Sequence, residues 1–411
     1  MRGLAVLIIL FHHLILAFYP ILYPSPFVLP ISLDYLATQP LLIKAFIFTP
    51  LIIFYNSTFA IIIFLIISGF VVSYNCFHNK DENYITASFF KRYFRLTIPI
   101  LFSCVIVYFL LKVGAFYNVQ ASGKSHSPWL SQFYTCDANF FNMIKFVLYD
   151  EYLGLSIMEE LQCYGPILWM MYYLLLGSFL VYAFYALFAR ASNRLRIFIY
   201  IALIIIFSKS LLLAVILGMI LCDMDANNIF QNVNKNILLI MLLPGIYLAS
   251  LIRFDFPSYT ILDIDFMKNY FGGSLPLLHF YHIIGGFLLF FALSRLSFSI
   301  KVFSSKVAVY IGKISFSIYI LHFIVICSLS SYIFLWLKNY INASNELSFI
   351  VTFAMTIVVT ISLSHIFHHY IELKSINWSQ SLYNLVSRQK YVGRNENEKG
   401  GGRKVQRLVK K

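Results

Sequence analysis

Arg2 and His13 stand eleven residues apart in an otherwise apolar stretch, Arg2-Gly-Leu-Ala-Val-Leu-Ile-Ile-Leu-Phe-His-His13. On a helix, eleven residues at ~100° and ~1.5 Å each make three turns plus ~20°, so the guanidinium and the imidazole share one face ~16 Å apart. His12 points elsewhere. If Arg2 marks one membrane surface, His13 lies near the bilayer midplane, where an ionisable group is costly and is by default a functional candidate. A neutral imidazole there can take a proton from a hydroxyl or carry an acyl group. Hydrogen-bonded packing is the alternative use of a lone intramembrane histidine.

Two further groups carry chemistry. Ser68-Gly69-Phe70 precedes Phe89-Phe90-Lys91-Arg92-Tyr93-Phe94-Arg95-Leu96-Thr97-Ile98-Pro99. Arg92 and Arg95, three residues apart at an expected helix start, make a two-pronged cationic site able to hold phosphate or pyrophosphate. Ordinary anchoring at the cytoplasmic surface also explains such clusters. Farther along, Ser315, Tyr319 and His322 follow at spacings of four and three within Gly312-Lys313-Ile314-Ser315-Phe316-Ser317-Ile318-Tyr319-Ile320-Leu321-His322-Phe323. They place a hydroxyl, a phenol and an imidazole on one face of an apolar helix, which must turn to protein or water and not to lipid. His322 lies nine residues, ~14 Å, beyond Lys313, so its depth matches that of His13 from the same side.

The elements that position these groups follow from composition. With 60% hydrophobic and 12% charged residues and 42 Phe in 411 positions, the chain has no polar surface to offer water and is expected to be an all-α integral membrane protein. About ten apolar runs recur, at 3–24, 57–77, 96–117, 166–189, 197–208, 210–223, 236–252, 275–294, 309–336 and 348–370. With the N-terminus inside, 23 of the 31 Lys and Arg fall on the cytoplasmic side, whereas acidic residues such as Asp137, Asp150, Glu159 and Glu160 fall outside. This asymmetry predicts both termini in the cytoplasm. Residues 1–372 form the expected membrane domain. Residues 373–411 form a basic, largely disordered tail suited to topology or to anionic lipid headgroups, so the net charge of +14 does not point to nucleic acid. Cys136 and Cys163 share the long outer loop, where an oxidising compartment would bridge them.

The motifs occur in the order, and over nearly the whole span, of the membrane-bound acyltransferase family 3 that includes bacterial O-antigen and peptidoglycan O-acetyltransferases. The Arg-Gly opening with its histidine, the Ser-Gly-Phe and arginine-pair segment and the Gly312–Phe323 string each resemble a signature of that family. Gly165-Pro166-Ile167-Leu168-Trp169 resembles its Gly-Pro-x-x-Trp helix, and Tyr370-Ile371-Glu372 its closing motif. Two departures stand out. Leu174 replaces the usual Glu five residues after the Trp, and Lys374 the usual Pro after the closing Glu.

The resemblance implies transfer of an acyl group, acetyl the expected one, from acyl-CoA to a hydroxyl of a sugar or lipid-linked glycan, in a bacterial inner membrane. It implies His13 as base or acyl carrier with Arg2 beside it, Arg92 and Arg95 on the CoA phosphates, and Ser315, Tyr319, His322, Glu372 and Trp169 in support. No metal is expected. His365 and His369 have a four-residue spacing but no carboxylate or thiolate to complete a site. A transporter whose polar stripe lines a path, and an inactive accessory relative lacking the Glu at 174, are the competing classes. The internal repeat typical of transporters is not evident.

Overall fold

The computed structural model describes residues 1–26, 31–48, 50–78, 82–154, 158–229 and 233–387. Among these residues the chain is helical throughout its regular structure, with no strand. Eleven helices carry the architecture: α1 (Arg2–Phe18), α2 (Ser57–His78), α3 (Glu82–Lys112), α4 (Met170–Phe188), α5 (Asn193–Ile206), α6 (Leu212–Ala226), α7 (Lys235–Ala249), α8 (Ser274–Leu293), α9 (Lys306–Val325), α10 (Asn345–Phe367) and α11 (Leu373–Val386). Every expected apolar run overlaps one of the first ten. Among the described residues, six helices are long and apolar enough to cross a membrane: α2, α3, α4, α8, α9 with its extension to Asn339, and α10 continuous with α11. The other four, α1, α5, α6 and α7, are 14 to 17 residues long. The protein is an all-α membrane protein.

Helix ends depart from the apolar runs where local chemistry intervenes. α1 stops at Phe18 and not near residue 24, because Tyr19 leaves helical geometry (φ −148°) and Pro20 opens a short 3-10 turn. α3 begins at Glu82, fourteen residues before the apolar run. Arg92 and Arg95 therefore sit well inside a helix of 31 residues and not at its start. Pro99, one turn farther on, cannot donate to the Arg95 carbonyl.

The tail boundary moves as well. Residues 373–386 are helical, continuing α10 through a π turn at His368–Glu372. They pack on the start of α3, where Lys91 Nζ donates to Gln380 Oε1 (2.7 Å) and the Phe90 and Tyr383 rings meet at 5.8 Å. Tertiary contact, not apolar length, supports this helix. The basic run from Arg388 onward lies outside the described residues.

Close backbone approaches align the core helices. A Cβ on Gly3 would lie 2.7 Å from the Gly312 nitrogen, so α1 and α9 touch at one end, and Arg2 Nη2 donates to the Gly312 carbonyl (2.8 Å). With His13 and His322 paired at the other end, the two helices run parallel and in register. α2 and α6 meet in the same way, a Cβ on Gly69 falling 2.1 Å from the Val215 carbonyl oxygen and one on Gly218 falling 2.0 Å from that of Ile66. Small residues are the usual means of such contact in a bilayer.

The segment between α3 and α4 is not a simple outer loop. Cys136 and Cys163 form a disulfide, and the chain between them runs back along α3. Tyr93 Oη donates to the Leu148 carbonyl (2.6 Å), and Thr97 Oγ1 donates to Tyr152 Oη (3.0 Å). Residues 148–152 thus reach the level of the arginine pair. Asp150, which charge counting assigns to the outside, lies deep with its carboxylate 3.2 Å from Lys145 Nζ. Its neighbour Glu151 is buried. Charge counting assumes that a loop stays at one surface, and this one folds into the bundle.

Candidate functional site

α1 and α9 bring the two imidazoles together. His13 Nδ1 lies 2.8 Å from His322 Nε2, with the ring planes within 2° of parallel. His322 Nδ1 lies 3.0 and 2.8 Å from the carbonyl oxygens of Ile318 and Tyr319, which only accept, so that nitrogen carries the proton. His322 Nε2 must then accept, and His13 Nδ1–H donates to it. His13 Nε2 is left with a free lone pair. Trp129 stacks on His13, with centroids 5.5 Å apart and ring planes at 25°. His12 turns away to the Tyr55 carbonyl (2.9 Å) and is buried, in keeping with its ~100° offset on the helix.

Two cavities lie near one another along α2, and one of them reaches His13. The first, of about 130 Å³, gathers Arg2, Arg92, Arg95 and Glu372, with Ser68 and Leu174 in its wall. Glu372 is held by Ser317 Oγ (2.7 Å) and His368 Nδ1 (2.8 Å). Arg92 and Arg95 form no hydrogen bond or ion pair among the described residues, and Arg92 Nε is buried without a partner. Three guanidiniums facing one carboxylate leave an excess of positive charge, the condition under which a small cleft collects an anion.

The second cavity, of about 310 Å³, is bounded by His13, His279, Tyr319, Trp169, Ser57 and Thr58 among others. α2 shows how close the two lie: Ser57, Thr58 and Ile61 line the second, and Phe64, Ile67 and Ser68 the first. The change occurs between Ile61 and Phe64, ~4.5 Å along the axis.

Most of the residues singled out by spacing meet here. Arg2, Arg92, Arg95 and Glu372 share the first cavity, while His13, Tyr319 and Trp169 share the second. Tyr319 donates to the Ile167 carbonyl. Ser315 does not join them, since its hydroxyl bonds back to the Gly312 carbonyl (2.9 Å) within its own helix. Leu174 lies in the arginine cavity, so the departure falls at the site itself, and Glu372 is the carboxylate present there. Spacing also missed three residues. His279 shows the same signal as His13, a histidine inside an apolar run. Trp129 belongs to a segment whose return could not be foreseen. Glu151 is buried, and neither carboxylate oxygen is hydrogen-bonded among the described residues. The terminal histidines diverge, His365 Nδ1 lying 3.0 Å from Tyr310 Oη and His368 binding Glu372.

A family model described as an acyltransferase domain, of the acyltransferase 3 family, matches residues 1–368. Searches of curated proteins and of solved structures returned no match.

Proposed function

Because the chain belongs to the acyltransferase 3 family, and is thus a membrane acyltransferase, we propose that it moves an acetyl group from acetyl-CoA to a hydroxyl of a sugar or cell-surface glycan. One observation carries this reading: His13, with its Nε2 lone pair free, lines a neutral cavity whose α2 wall passes within one helical turn into the wall of a cation-rich one. Arg92 and Arg95, with Arg2, hold the CoA phosphates, and the pantetheine arm extends toward His13. The acceptor hydroxyl gives its proton to His13 Nε2 as its oxygen attacks the thioester carbonyl carbon. The carbon–sulfur bond breaks, and the leaving thiolate takes that proton from the imidazolium. His322 keeps His13 in the Nδ1–H tautomer throughout and so acts as a positioning residue.

The same reading places ten crossings in a bacterial inner membrane, with the shorter α1, α5, α6 and α7 completing the six long spans. Both termini and the arginine cavity then face the cytoplasm, where CoA resides. The test compares the adjacent histidines. In membranes supplied with radiolabelled acetyl-CoA, His13→Ala is expected to remove acetyl incorporation at normal protein abundance, and His12→Ala to retain most of it. Near-normal incorporation by His13→Ala would overturn the mechanism.

A further inference from the structure

We propose that the cavity lined by His13 is the acceptor subsite and that His279 fixes which hydroxyl of a polyhydroxylated ring is acylated. The inference rests on the acyl-CoA reading above and adds a ligand class and a residue to it.

The cavity's chemistry selects the class. None of the residues lining it carries a charge, whereas the arginine cavity one helical turn away is dominated by charge. A phosphate headgroup, a carboxylate or an ammonium would find no counterion. Its polar groups are imidazoles and hydroxyls, from His13, His279, Ser57 and Thr58, set beside the indole of Trp169, which is 37% exposed. A flat apolar face bordered by neutral hydrogen-bonding groups matches a sugar ring, whose C–H face stacks while its hydroxyls are paired at the edge. At about 310 Å³ the cavity lies at the small end of ligand sites, in keeping with a single ring.

His279 is the group without another use. One turn along α8, His282 is fixed through Nε2, which donates to the Leu251 carbonyl (2.7 Å), and it lies outside the cavity. His279 makes no hydrogen bond among the described residues and faces the same space as His13. Holding an imidazole unpaired in a largely apolar bundle is unfavourable, and a ligand hydroxyl removes that cost. With His13 on the attacking oxygen and His279 on a neighbouring one, the ring is held at two points and only one hydroxyl reaches the thioester.

Octyl β-glucoside and 1-octanol test the idea, since they share an alkyl chain and differ in the ring. The full-length protein in lipid nanodiscs is titrated with CoA, then assayed with acetyl-CoA and each alcohol. Wild-type protein is expected to acetylate octyl glucoside in preference to octanol, giving one positional ester. His279→Phe should raise the KM for octyl glucoside about tenfold, the loss of one hydrogen bond, and yield mixed esters. Its CoA affinity should stay within about twofold, because the arginine cavity is untouched. His279→Gln, which restores a polar group, should recover part of the KM and of the selectivity. Wild-type protein that binds CoA but acetylates octyl glucoside no faster than octanol overturns the subsite, as does a His279→Phe variant with unchanged KM and a single ester. Wild-type protein that binds no CoA overturns the donor reading beneath it.

Discussion

Arginines serve this protein in two opposite ways. Arg196 Nη1 bonds Asp223 (2.9 Å), a pair buried to within 10% exposure and completed by Tyr200 on the second carboxylate oxygen. Arg253 binds Asp255 and also donates to the carbonyls of Pro24 and Ile31, and Arg295 binds Asp225. Arg92 and Arg95 have no such partner among the described residues and share their cavity with a third cation, Arg2. Charge counting along the chain treats Arg196, Arg295 and the Arg92–Arg95 pair alike, as markers of one membrane surface. A bonded carboxylate marks the first group as structural, and under the function proposed above the second group is the one that meets an anion.

The largest expected contrast is functional. Arg92→Ala and Arg95→Ala should each lower acetyl transfer by about a hundredfold or more, as expected when a charge-assisted contact to phosphate is lost, with abundance and melting temperature unchanged. Lys91→Ala, whose parent side chain is occupied by Gln380, should stay within about twofold. Equal transfer in the three variants would remove the distinction.

Arg196→Ala should show the reverse signature. It leaves Asp223 buried without its cation, a loss of about 3–5 kcal/mol, so thermal unfolding in detergent should come earlier while transfer per folded molecule holds. A variant that melts normally but fails to transfer would move Arg196 into the functional class.

Gly3→Val tests whether the α1–α9 contact sets the histidine pair. The added side chain meets the Gly312 backbone and pushes α1 away, so transfer should fall about tenfold as His13 and His322 lose register, with Gly3→Ala milder. Normal transfer in Gly3→Val would show that the pair is held by something other than this contact.

The smallest effect concerns acid stability. Its hydrogen bonds from Arg253 hold the Asp255 carboxyl below its ordinary value. A depressed carboxylate contributes stability above its unfolded-state pKa of ~3.9 and loses it as pH falls through the folded value. Unfolding temperature should therefore drop below about pH 4 in wild-type protein, and by less in Asp255→Asn. Identical acid slopes would show that the pair contributes nothing measurable.

Composition and helical periodicity were enough for the class of protein, for its apolar runs and for the phase of α1 that turns His13 rather than His12 toward α9. Those properties depend on residues close in sequence, and a bilayer makes them strict by forbidding unpaired backbone within it. Helix ends escaped this logic wherever a tertiary partner prolonged or stopped them, as with α3 at Glu82 and α11 beyond Glu372. The fate of individual polar groups escaped it as well. Ser315 and Tyr319 share a helix face with His322, yet one hydroxyl returns to its own backbone and the other reaches a carbonyl 152 residues away. Only packing could decide that residues 148–152 reach back to the arginine level, that Glu372 supplies a carboxylate to the cavity of Leu174, and that His279 lines the same cavity as His13. Such juxtapositions join residues far apart in sequence, and they are settled by which helices can approach at Gly3, Gly69 and Gly218, not by spacing along the chain.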